Sequence, residues 1–192
     1  MPKISLSGAN ALDKYMKDAD IENFINVLSK IQKDNAFVIN RFDEIKQFLS
    51  NENIEKIKLA KLLYCLNFYP SCYLIIGIII ENILNEVIKY AQDNNLLPAH
   101  INDARIEQFI NQDSIGQKGK QLKSLDLFND SKASQYVAIK AEGLSVLRNY
   151  GGHSNFSSFL AAITADKQTN DKEILEALEL IKYIYIAFDK IK

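Results

Sequence analysis

Proline and glycine are scarce in this chain, three and seven among 192 residues. A turn-rich β architecture needs both between its strands, so their scarcity sets that class aside, and the dominance of Ile, Leu, Lys, Asn and Glu favours long helices. An excess of one charge is lacking as well. Lys and Arg number 23 against 24 Asp and Glu, a formal charge of -1, so no global field draws nucleic acid and any such site must be a local patch. Cysteine is limited to Cys65 and Cys72, both in apolar surroundings and neither in a CxxC pair or a Cys/His cluster. Reduced core thiols of a cytoplasmic protein are expected, with no disulfide and no metal. GxGxxG, P-loop, HExxH and GxSxG motifs are missing, as are internal repeats and low-complexity tracts.

Long hydrophobic runs are also short of what a membrane demands. The N-terminus, Met-Pro-Lys-Ile-Ser-Leu-Ser-Gly, has no apolar core of signal-peptide length. Leu62 to Tyr69 and Cys72 to Ile80 together make a greasy window, but Asn67, Pro70 and Ser71 interrupt it. The run from Cys72 ends at Glu81-Asn82, short of the ~20 apolar residues a span needs. Two core helices meeting at Pro70 are expected instead, with no membrane partner.

What is present is helical periodicity. A short helix around Ala9 to Lys17 is followed by Ile21, Phe24, Leu28, Ile31, Asn35, Val38, Phe42, Ile45 and Leu49, a three-four seam with one polar member. Such a seam packs on the parent domain or holds a partner helix, and Asp34-Asn35 can also be read as a hairpin turn. Asn51 to Asn53 are capping-type residues ahead of a helix from Ile54 to about Tyr69, and Pro70 opens the next, to about Asp93. This most apolar helix is expected at the centre. Its seam, Leu74, Gly77, Glu81, Leu84, Ile88 and Ala91, includes a carboxylate that either finds a basic partner from another helix or escapes to solvent at an edge.

Asn94-Asn95 ends that helix, His100 falls in a surface loop, and Ile101 to Ile110 suggests a short helix. Residues 114–125 contain Lys118, Lys120 and Lys123 and no acid, the best local candidate for contacting the phosphates of an RNA. A further helix, about Ser131 to Tyr150, carries Val137, Ala141, Leu144 and Arg148 on one line, and Gly143 within it suggests close approach by another backbone. Arg148 thus continues a buried stripe and either meets a buried carboxylate such as Glu81 or faces an intermolecular groove. The last helix, capped by Asn170 or Asp171, has an apolar face of Ile174, Leu178, Ile181, Tyr185 and Phe188.

The stretch Leu-Ser-Val-Leu-Arg-Asn-Tyr-Gly-Gly-His-Ser-Asn, 144–155, holds one of the chain's two histidines. Positions five apart on a regular helix diverge by about 140°, but Gly151 and Gly152 can distort the last turn and swing His153 toward Arg148. A two-fold axis could equally bring the pairs of two protomers together. Imidazole moves protons near neutral pH and arginine holds phosphate oxygens, a combination suited to metal-independent cleavage of a phosphodiester. A helix end finished by glycine, with a cation and a histidine offsetting its dipole, accounts for the same residues without any chemistry.

Arg148, Asn149, Tyr150-Gly151-Gly152 and His153 resemble the signature of the HEPN superfamily: arginine, a polar residue, a few positions, then histidine near a helix end. The apolar central helix with Glu81, the connecting segment and the closing amphipathic helix agree, so the resemblance covers about 54–192 and is nearest the abortive-infection and defence branches. It implies an all-α antiparallel helical bundle over 51–192 with an N-terminal helical extension over 1–50. It further implies a homodimer whose cleft joins Arg148, Asn149 and His153 of two protomers, supported by Glu81 and Tyr150, without a cofactor. The implied activity is endoribonuclease cleavage of cellular RNA, with tRNA a candidate, by a toxin or anti-phage effector. Asn155 stands where members paired with nucleotidyltransferase antitoxins often carry tyrosine, so modification there is not implied. A non-catalytic module holding a nucleotide or, through 21–49, an antitoxin or defence-complex protein is the alternative; an immunity partner is a third.

Overall fold

Helix succeeds helix through the chain, as the scarcity of helix breakers requires. A computed structural model describes residues 26, 33–128, 134–141 and 167–192, which form an all-α protein with no strand among the described residues. The chain divides into two compact units, 1–37 and 38–192. In the first, Asn35 stands in a turn between helical residues, and the Ala9 to Lys17 helix and the seam from Ile21 to Ile31 lie outside the described residues.

The second unit is a bundle. Helix α1 (Ala36–Ile45) runs into a single 3-10 turn, Lys46–Phe48, and is followed by α2 (Asn51–Cys65), α3 (Tyr69–Asp93), α4 (Asp103–Asn111) and α5 (Ile115–Leu125). Residues 134–141 are helical, and α6 (Lys167–Asp189) closes the bundle. Val38, Phe42, Ile45 and Leu49 of the seam are buried in the same core as α3. That part of the seam therefore belongs to the bundle: the break falls at 37/38 rather than at 50, and Phe42, fully buried, is not offered to a partner.

Helix α3 is the central element, packed against α2, α4, α5 and α6. Ile76, Ile79, Ile80, Ile83, Leu84, Val87 and Ile88 bury fully or nearly so, and Pro70 sits in its first turn, where a missing N–H costs nothing. By length and composition α3 is long and apolar enough to cross a membrane, because the helix continues through the polar interruptions at Pro70 and Glu81. Here it serves as the core of the bundle. Cys72, within α3, is buried and Cys65, at the end of α2, is half-buried; both thiols are free, and burial pushes both up.

Helix α2 stops at Cys65, short of the expected Tyr69, because Asn67 takes a left-handed conformation, φ 59°. The Phe68 N–H donates to Leu63 O at 2.8 Å and the Asn67 N–H to Tyr64 O at 3.0 Å, satisfying carbonyls the helix end leaves open. Asn95, φ 55°, repeats the device after α3, with Leu96 N–H to Ala91 O at 2.8 Å. Asparagine tolerates this region better than other non-glycine residues, so a chain poor in glycine can still end its helices sharply. Helix α2 begins after Ser50, one residue before the expected capping cluster, and Asn53 is buried instead.

Candidate functional site

The expected reaction centre, Arg148, Asn149, Tyr150 and His153, lies outside the described residues, as do Leu144, Gly143 and the Gly151-Gly152 step. Its flanks are described. On the N-terminal side Val137 and Ala141 are fully buried, as the stripe leading to Arg148 requires, and on the C-terminal side α6 buries Ile174, Leu178, Ile181, Tyr185 and Phe188.

Glu81 sits on α3 where periodicity placed it, on the edge of the core stripe, its side chain 21% exposed. Its basic partner comes from another helix, as a carboxylate in that position needs. Lys118 Nζ of α5 donates to Glu81 Oε1 at 3.1 Å, to Asn85 Oδ1 at 2.9 Å and to Ile110 O at 3.0 Å. The ammonium also lies 5.7 Å from the centre of the Phe109 ring. Three acceptors saturate the three N–H donors of an ammonium, which is how a charge with no exposed surface is tolerated. One side chain thereby joins α3, the end of α4 and α5.

This overturns the assignment of Lys118 to an RNA-contacting surface. A lysine with no accessible surface and three protein acceptors cannot present its charge to a phosphate, whereas Lys120 and Lys123 are both exposed. The sequence held a signal for the difference. Ile115, Lys118 and Leu122 recur at spacings of three and four, the pattern of a buried face, and Ser114 with Gln117 forms a capping box that starts the helix. Gln117 Oε1 accepts from the Ser114 N–H at 2.7 Å, and the Ser114 hydroxyl accepts from the Gln117 N–H at 3.3 Å. Close backbone approach, expected at Gly143, is seen at Gly119: a Cβ there would stand 2.8 Å from Ala141 Cβ and 3.2 Å from Val137 O.

Polar groups at the start of α6 have work that periodicity did not announce. Asn170 and Asp171, expected as caps, instead lie within the helix and accept hydrogen bonds from the hydroxyls of Tyr73 at 2.8 Å and Tyr64 at 2.6 Å. Burial pushes both phenols well above their ordinary range, so both stay protonated as donors. Asp113, buried between α4 and α5, forms an ion pair with Arg105 at 3.2 Å and accepts a hydrogen bond from Gln121. His100 is exposed in the connection after α3, and among the described residues no cluster of three or more His, Cys, Asp or Glu could hold a metal ion.

The described residues form an all-α helical bundle in which the buried Lys118 ammonium meets the partly exposed Glu81 carboxylate. No match to this chain is found among models of protein families, curated proteins or solved structures.

Proposed function

We propose that the protein is a metal-independent endoribonuclease of the HEPN type, acting on cellular RNA as a toxin or anti-phage effector in the cytoplasm, with tRNA a candidate substrate. The observation that carries the reading is the Arg148-Asn149-x3-His153 sequence, set between the helical segment 134–141 and helix α6 in an all-α bundle. His153 would exchange a proton with the attacking 2′-hydroxyl or the leaving 5′-oxygen, and Arg148 would offset the charge gathering on the phosphate. Asn149 and Tyr150 would orient the strand. Two protomers related by a two-fold axis would supply one cleft, the arrangement that brings Arg148 and His153 together without requiring them to share a helix face.

Glu81 enters this reading as a positioning group. Bound to Lys118, it fixes α3 relative to α5, and α5 meets the 134–141 segment at Gly119, so the network bears on the helix that leads into the motif. Lys120 and Lys123 remain candidates for the strand's phosphates. A partner protein, if one docks through the seam, would use 21–37, since 38–49 is in the core. Expression of the chain in a bacterial host tests the reading: growth arrest with fragmented RNA is expected, and its persistence with His153→Ala would count against a role for this histidine.

A further inference from the structure

The second half of α2 is apolar on two opposite sides. Ile57, Ala60 and Tyr64 turn into the core, whereas Leu59, Leu62 and Leu66, at spacings of three and four, share the side turned away from it and are 45–55% exposed. Phe68 follows in the turn, 57% exposed, its N–H held by Leu63 O at 2.8 Å. A helix that is hydrophobic all round is an enclosed one. Between Leu59 and Leu66 only Lys61 is charged, so this half of α2 has the composition of an enclosed helix with one side left open.

The charges bordering the stripe narrow what covers it. Within α2, Lys56 pairs with Glu52 and Lys58 with Glu55, while Lys61 reaches Asp43 of α1 at 2.7 Å. Every charged residue of α2 is thereby neutralised inside its own chain. Anionic lipid and acidic peptides are held by free cations and basic partners by free carboxylates, and the border of this stripe offers neither. A second copy makes no such demand, because it brings the same neutral pairs, and a two-fold axis sets the stripe against itself.

The area fits the same occupant. Three leucines and a phenylalanine at these exposures present on the order of 400 Å² of apolar surface, the size at which a patch on a monomer is often functional. Interfaces between separately folded chains are about 57% apolar, so this centre goes with about 700 Å² per partner once its polar rim is included, close to the roughly 800 Å² of a stable pair.

We propose that two copies of the chain associate through the outer side of α2, stripe against stripe across a two-fold axis, with Leu59, Leu62, Leu66 and Phe68 at the centre of the contact. The association does not rest on the ribonuclease reading. A single-copy chain that cleaves RNA would remove the association alone, and an associated chain inert on RNA would remove the cleavage alone.

Light scattering of the full chain as it elutes from a sizing column tests this. Wild type is expected at twice the mass of one chain or a higher even multiple. Leu59→Glu and Leu62→Glu should each halve that mass, because the new carboxylate meets apolar surface on the other copy, while circular dichroism shows an intact bundle. Leu96→Glu, at a leucine equally exposed in the connection after α3, should leave the mass unchanged. The milder Leu62→Ala should weaken association at least about tenfold in sedimentation equilibrium, since the substitution counts twice across a two-fold axis. A wild type that stays a single copy at submillimolar concentration, a mass unaltered by Leu59→Glu and Leu62→Glu, unchanged association in Leu62→Ala, or an equal loss in Leu96→Glu would each overturn the proposal. So would a single-copy wild type that binds phosphatidylcholine vesicles, or a different protein in stoichiometric amount, and loses that binding in Leu62→Glu.

Discussion

Replacing Lys118 with methionine removes the ammonium while keeping an unbranched stem of similar length, so the packing against Phe109 is largely preserved and the loss is electrostatic. Three acceptors lose their donor together: Glu81 Oε1, Asn85 Oδ1 and Ile110 O. Breaking a fully buried pair by removing one member costs about 3–5 kcal/mol. The Glu81 side chain is 21% exposed, so water can take up part of its charge, and the lower end, about 3 kcal/mol, is expected. Glu81→Gln keeps an acceptor for Lys118 and should cost less. In the double variant the lone carboxylate is gone, so the cost should fall short of the sum by about 1–2 kcal/mol. Urea unfolding followed by helical circular dichroism measures all three. A Lys118→Met variant within about 0.5 kcal/mol of wild type, or strict additivity in the double, would show that the ammonium is not buried in this network.

Gly119→Ala should destabilise the bundle by about 1–2 kcal/mol by overpacking against Ala141 and Val137, despite alanine's better helix propensity; thermal melts would read the lowered midpoint. Tyr73→Phe should cost about 1 kcal/mol through the lost bond to Asn170, read in the same melts. Burial raises the Glu86 carboxyl above its ordinary 4.5, so between that value and the raised one the folded chain binds more protons than the unfolded chain, and stability falls as pH rises through the window. Glu86→Gln should therefore be more stable than wild type at neutral pH and lose that advantage below about 4.5, which unfolding curves at several pH values would follow.

Periodicity carried the fold a long way. It placed α3 within one residue of its observed bounds, put Glu81 on a core-type stripe, and named Ile174, Leu178, Ile181, Tyr185 and Phe188 on the buried face of α6 while leaving out Ala177, Leu180, Ile184 and Ala187. Spacing tells which face of a helix is turned inward, however, and not which helix it meets. Hence Arg148 stood as the candidate partner for Glu81 and Lys118 did not, since Lys118 lies far along the chain in a stretch whose charge was more conspicuous than its seam. The bonds from Tyr64 and Tyr73 to Asp171 and Asn170 were hidden for the same reason, and the capping preference of Asn and Asp pointed to a helix start that lies earlier. The end of α2 was missed because one asparagine, Asn67, turns left-handed before proline can act. Of the candidate site, Glu81 was legible as an acid that must find a basic partner or reach solvent, Lys118 was assigned to the wrong surface, and the Arg148–His153 chemistry rests on its motif.

Cleavage of total RNA by purified protein in EDTA, beside a His153→Ala variant, tests the central claim most directly. A general acid–base histidine is worth about 10²–10⁴-fold in rate, so wild type should fragment RNA without metal and the variant should be slower by at least about 100-fold while remaining folded. Equal cleavage by both proteins, or none by either at high protein concentration, would contradict the account.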